Sequence, residues 1–149
     1  MCGIAGIVSL SGSPVPDLGR RLTTMQARLE HRGPDGKGIW YSKDDRVGLA
    51  HTRLKIIDLE GGHQPMSWEG NEFVTYNGEI YNYPELGKEL GRQGHPKSDT
   101  TVLLHAYRTW GRACVERFRG IFAFAVWYHR NQTLFCARDR FGIKPFYYT

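Results

Sequence analysis

Short apolar runs gather toward the two ends of the chain, with amphipathic stretches between them. Ile4 to Ser9 is apolar and starts almost at the amino terminus, which predicts a buried strand. Leu18, Leu22, Met25 and Leu29 follow at helical spacing, with Asp17 as a candidate cap, and His31-Arg32-Gly33-Pro34-Asp35-Gly36 breaks that helix into a loop. Ile39 to Ser42 and Val47 to His51 predict strands around an Asp44-Asp45 turn. A loop over Gly61 to Gly70 precedes a strand from Phe73 to Tyr76, which runs into Asn77-Gly78. Two helices are expected over Pro84 to Arg92 and Thr100 to Trp110, with Gly94 and Gly111 as stops. Strands over Ile121 to Tyr128 and Thr133 to Ala137, joined by a turn at Arg130-Asn131-Gln132, form a predicted hairpin, and Phe146 to Tyr148 is a further strand. Strands at both ends with helices between argue for antiparallel sheet packed on helices, an α+β fold, rather than repeating βαβ units.

Composition narrows the class without naming a chemistry. The chain has 149 residues, enough for one domain with a real core, and 40% hydrophobic with 23% charged residues reads as globular. No apolar run approaches the roughly 18–20 residues of a membrane span, and the start lacks the basic region and cleavage site of a secretory signal. The net charge is +5, but the basic residues are scattered, without a Lys/Arg-rich run or an RNA-binding aromatic motif, so neither a membrane nor nucleic acid is an expected partner. Three cysteines without CxxC spacing, and six histidines without HxxxH or HExxH, point to no disulfide framework and no metal. They fit a reducing cytoplasm.

The informative feature is Cys2, directly after the initiator methionine. Removal of Met1 would leave a thiol and a free α-amine on one residue. The two groups titrate close together in model peptides, so the amine can act as base for its own nucleophile. Taken alone, Cys2 also reads as an incidental small residue or a lipidation site. Acyl transfer needs donors for an oxyanion, and Asn77-Gly78 offers a side-chain amide and a closely approachable backbone N–H. The same dipeptide is also the preferred type I′ hairpin turn. An amino-acid substrate needs a cation for its carboxylate and an anion for its ammonium. Arg53 suits the first, and Asp99 suits the second or simply caps the Thr100 helix.

The segments MCGIAGIV, HRGPDGKGIW, LAHTRLKIIDLEGGHQPM, YNGEIYNYPEL, SDTTVLLHAYRTWG, RGIFAFAVW and ARDRFGIKPFYY cover nearly the whole chain in order. Together they resemble the class II glutamine amidotransferase domain of the asparagine synthetase type. The resemblance implies an N-terminal-nucleophile hydrolase fold, two antiparallel sheets sandwiched between helical layers. It implies that Cys2 attacks the side-chain amide of L-glutamine while Asn77 and the Gly78 N–H hold the oxyanion. Arg53 would bind the glutamine carboxylate and Asp99 its ammonium, with Glu79 and the backbone of Leu54, Lys55, Ile56 and Ile57 lining the same pocket. The thioester would be hydrolysed to glutamate and ammonia passed to a synthetase domain or subunit. No cofactor is expected in this chain. ATP and magnesium belong to a synthetase domain, which in the family follows a further strand-rich segment of this domain, so the chain is expected to be C-terminally truncated. A homo-oligomer is compatible with the reading. The stretch between Gly94 and Ser98 is shorter than the family usually has, which bears on Asp99, and Tyr128 stands where the family usually has Asp. A non-catalytic remnant that binds glutamine or a partner subunit is the competing hypothesis.

Overall fold

The computed structural model describes residues 1–56, 61–91 and 98–149. Strand β1 (Gly3–Val8) is followed by α1 (Leu18–Arg28), a 3₁₀ turn at Glu30–Arg32, and strands β2 (Gly36–Tyr41) and β3 (Val47–Arg53). Strands β4 (Met66–Trp68) and β5 (Glu72–Ile80) come next, then α2 (Tyr83–Glu89), α3 (Asp99–Trp110), the single turn α4 (Cys114–Arg117), β6 (Gly120–Tyr128) and β7 (Thr133–Arg138). Two antiparallel sheets result, one ordered β1-β3-β2 and the other β4-β5-β6-β7.

Strand periodicity explains the layering, because side chains alternate between faces. From β3, Val47 and Leu49 pack with Trp127 of β6, while Val8, Trp40 and Phe73 close the layer between the sheets. Ala50, on the opposite face of β3, meets Leu18 and Leu22 of α1 on the outer side. In the second sheet Val74, Tyr76 and Ile80, with Phe122, Phe124 and Val126, meet Val102, Leu103, Leu104 and Ala106 of α3. The order helix, sheet, sheet, helix is the α+β arrangement that the resemblance implies.

Several local expectations are corrected. Asp17 stands at the N-cap position of α1, but its side chain makes no capping hydrogen bond and its backbone is left-handed (φ 56, ψ 33). Its carboxylate instead accepts from Arg20 at 2.8 Å. The inward stripe of α1 is Leu18, Leu22 and Gln26, whereas Met25 is 36% exposed. Gln26 belongs there because its amide donates to the carbonyls of Gly38 (2.8 Å) and His51 (2.9 Å), so a buried polar group is satisfied. The expected loop over Gly61 to Gly70 contains β4, which pairs with β5 around a turn through Glu69 and Gly70. Helix α2 starts at Tyr83 with Pro84 in its first turn and ends before Gly91, whose φ of 72 only glycine adopts easily. Arg92 and Gly94 lie outside the described residues. Phe146 to Tyr148 forms no strand: Tyr147 and Tyr148 are almost fully exposed and pair with no neighbouring strand.

Asn77-Gly78 is not a hairpin turn. Both residues lie inside β5, with Asn77 opposite Ala123 and Gly78 opposite Phe122. Glycine is required there by space, since a Cβ would sit 2.2 Å from the Ile121 carbonyl oxygen. The same constraint acts beside the amino terminus, where a Cβ on Gly3 would come 2.6 Å from Thr52 Oγ1 and 2.8 Å from Leu29 Cβ.

Candidate active site

The alternation that layers the sheets also gathers the site. In β3, Val47, Leu49, His51 and Arg53 share the face turned to the second sheet. In β5 the facing set is Phe73, Thr75, Asn77 and Glu79; Thr75 Oγ1 donates across the gap to the Ala50 carbonyl at 3.1 Å. Cys2 precedes β1 in the phase of Val8, which faces inward. Where the two sheets end together, these inward positions open into a cleft instead of closing a core.

Cys2, Arg53, Leu54, Ile56, Asn77, Gly78, Glu79 and Asp99 all line this cleft. The Leu54 N–H donates to Cys2 Sγ at 3.4 Å, and the thiol reaches the Leu54 carbonyl at 3.7 Å. The Cys2 carbonyl accepts from Arg32 Nε at 3.1 Å, which ties the nucleophile candidate to the 3₁₀ turn after α1. Met1 also lines the cleft, so the Cys2 nitrogen here is a peptide N–H. Arg53 and Asn77 are buried at 5% and 4% exposure, and Asp99 at 5%.

Lys55 departs from the expectation. Its N–H donates to Asp35 Oδ2 at 2.9 Å, and the residue does not line the cleft, because the chain leaving β3 turns it the other way. Ile57 and the shortened stretch between Gly94 and Ser98 lie outside the described residues.

Asp99 is not the helix cap either. Ser98 caps α3, its hydroxyl accepting from the Thr101 N–H at 3.2 Å. That leaves Asp99 in the first turn, facing the cleft. Burial pushes its carboxyl up, and hydrogen bonds from Tyr76, Ile80 and Thr100 oppose that rise.

Sequence reasoning missed several neighbours of the site. Gln64 lines the cleft and accepts the Tyr76 N–H at 2.7 Å, holding β5 one residue before Asn77. His51 Nε2 donates to the Tyr76 carbonyl at 3.0 Å from the other sheet. Thr100 and Ile121 line the cleft, as does Lys144. Asp139 sets the turn carrying Lys144, its carboxylate accepting from the N–H groups of Phe122, Ile143 and Lys144. The period-two alternation from Phe73 was the one signal that would have placed Asn77 and Glu79 on a shared face.

The other thiols differ from Cys2 in setting. Cys114 is fully buried and burial pushes its thiol up to about 12. Cys136 sits on β7, away from the cleft. Among the described residues no helix is long and apolar enough to cross a membrane.

Comparison with known proteins places the chain among sequence relatives. The chain is 44% identical to asparagine synthetase (glutamine-hydrolysing) 3 of Bacillus subtilis, over 100% of the chain and 25% of that protein. It is 39% identical to a putative asparagine synthetase (glutamine-hydrolysing) 2 of Methanocaldococcus jannaschii, over 99% of the chain and 32% of that protein. Asparagine synthetase (glutamine-hydrolysing) 1 of Bacillus subtilis is 42% identical over 100% of the chain and 24% of its own length. The chain thus spans about a quarter to a third of the length of the relatives it matches. The sequence profile described as the glutamine amidotransferase domain matches residues 1–149, and the chain belongs to that family.

Proposed function

We propose that the domain hydrolyses the side-chain amide of L-glutamine through a Cys2 thioester and supplies the ammonia for amide synthesis, as in glutamine-dependent asparagine synthetase. The observation that carries this reading is the convergence of Cys2, Arg53, Asn77, Gly78 and Asp99 on one cleft between the two sheets. Each group matches a requirement of acyl transfer from an amino acid.

Arg53 binds the α-carboxylate of glutamine and Asp99 its α-ammonium, which fixes the side-chain amide against Cys2. Leu54, Ile56 and Glu79 complete the binding walls, and Ile57 follows them in the chain. Removal of Met1 frees the Cys2 α-amine. The amine takes the thiol proton as Sγ bonds to the amide carbon, and the carbonyl electron pair moves onto oxygen. The Asn77 amide and the Gly78 N–H stabilise that oxyanion, donors that do their work mainly in the transition state. Collapse breaks the C–N bond, the amine returns its proton to the leaving nitrogen, and ammonia departs. Water then adds to the thioester by the same route, giving glutamate and the free thiol. Residues 1–149 belong to the glutaminase domain. A synthetase domain or subunit receives the ammonia and carries the ATP- and magnesium-dependent chemistry.

The test is ammonia release from glutamine by protein whose amino terminus is shown by intact mass to begin at Cys2. Cys2→Ala should abolish release while leaving the thermal unfolding transition in place, and a retained Met1 should do the same by converting the base into an amide. Equal release by wild type and Cys2→Ala would remove the assignment.

A further inference from the structure

Asp99 reaches the cleft from α3, yet β5 holds it. Its Oδ2 accepts from the Tyr76 hydroxyl at 2.7 Å and from the Ile80 N–H at 3.1 Å, while Oδ1 accepts from the Thr100 N–H at 2.9 Å. An ionised carboxylate offers about four acceptor sites. Among the described residues, two donors on Oδ2 and one on Oδ1 saturate Oδ2 and leave acceptor capacity on Oδ1 to meet a ligand.

Tyr76 is itself fixed. Its N–H donates to Gln64 and its carbonyl accepts from His51, so its backbone is held from both sides. The ring packs in the core under α3, on the face of β5 opposite Asn77 and Glu79. Burial, followed by the Asp99 charge, holds the hydroxyl well above the usual tyrosine range, so it keeps its proton and remains the donor of the pair. The same hydrogen bond is the leading influence opposing the upward push of burial on Asp99.

We propose that Tyr76 is a positioning residue for substrate recognition: its hydroxyl holds Asp99 through Oδ2 so that Oδ1 of the carboxylate meets the α-ammonium of glutamine. The inference rests on the glutaminase reading and deepens it. Tyr76 acts through Asp99 and not on the bond being cleaved, so it governs which molecule is captured more than how fast the captured one reacts.

The test measures binding of glutamine and of 4-carbamoylbutanoate, the same molecule without its α-amino group, to Cys2→Ala protein with and without Tyr76→Phe. Tyr76→Phe should weaken glutamine about 10- to 150-fold, the loss expected from removing one hydrogen bond to a charged group. It should change binding of the analogue less than about twofold on the same argument. In processed protein that retains Cys2, KM for glutamine should rise correspondingly, with kcat kept within about threefold. A tyrosine that merely fills the core would leave the ratio of the two affinities at its wild-type value, and that result overturns the proposal. Asp99→Asn guards against a damaged fold, because it keeps acceptor oxygen for β5 but lacks the charge. Adding Tyr76→Phe to Asp99→Asn should lower discrimination no further, and a second full loss overturns the coupling. Failure of Cys2→Ala protein to bind either molecule would remove the glutaminase reading, and this proposal with it. Tight glutamine binding with unchanged discrimination would remove only the role of Tyr76.

Discussion

Replacing His51 by glutamine should flatten the loss of stability that the protein suffers on acidification from about pH 7 to about pH 4. His51 is 1% exposed and lies between the sheets, where its ring donates to the Tyr76 carbonyl. Burial is the main cause that brings its pKa from the ordinary 6.5 down to about 4, the Arg53 charge adds to the drop, and the Tyr76 hydrogen bond opposes it. Between those two values the unfolded chain binds a proton that the folded chain refuses. Stability from this residue is therefore complete above about pH 6.5 and drains away as the pH falls toward about 4. At about 1.4 kcal/mol per pH unit, a depression of this size is worth about 3 kcal/mol. A glutamine can still donate to the Tyr76 carbonyl but does not titrate. Urea unfolding across this range should therefore show wild type losing about 3 kcal/mol more than His51→Gln, with unchanged m-values. The other histidines and the carboxylates titrate in both proteins and cancel in the difference. Parallel stability curves for the two proteins would mean that His51 accepts its proton near the ordinary value, and the description of a neutral imidazole bridging the sheets would be wrong.

Two further outcomes follow from the cleft. Asn77→Ala should lower kcat for glutamine by about 10²- to 10³-fold with KM little changed, because the amide serves the oxyanion, and equal losses in binding and turnover would make Asn77 a substrate ligand instead. Arg53→Ala should lower kcat/KM by roughly 30- to 5,000-fold, and Arg53→Lys should recover only part of it, since an ammonium lacks the planar two-point contact; full recovery by lysine in steady-state assays would refute bidentate recognition.

Periodicity made much of the fold legible in the sequence, and special residues misled where their environment overrode a local habit. Strands β3 and β6 were readable because both are apolar runs buried on two faces. Asn77-Gly78 looks like a turn in isolation, yet pairing with β6 on one side and crowding by the Ile121 carbonyl make it strand. Gln26 is polar and was left off the buried stripe of α1. Only the two carbonyls it satisfies, one on β2 and one on β3, explain its burial, and no helical pattern encodes them. Ser98 displaced Asp99 as cap because either side chain can serve, and the deciding partners, Tyr76 and Ile80, come from a strand some twenty residues earlier. Of the site, Cys2, Arg53, Asn77, Gly78 and Asp99 were legible as candidates, whereas Gln64 and Tyr76 were not, because their contribution lies in contacts between elements. Lys55 entered through the family resemblance, and its backbone N–H is turned to Asp35 instead of the cleft.

Cys2 hangs from the first sheet and Asn77 from the second, so the gap between them is set by the apolar filling that separates the sheets. Val47, Leu49 and Trp127, with the stacked rings of Trp40 and Phe73 at 3.7 Å, are that filling. Side-chain volume in this layer therefore sets the separation that the proposed attack of Cys2 depends on. A methylene removed from Leu49 slackens the spacing between the two sheets while leaving every polar group of the cleft in place. Variation in this greasy layer offers a route by which catalytic rate can drift, or be tuned, without touching a residue that meets the substrate.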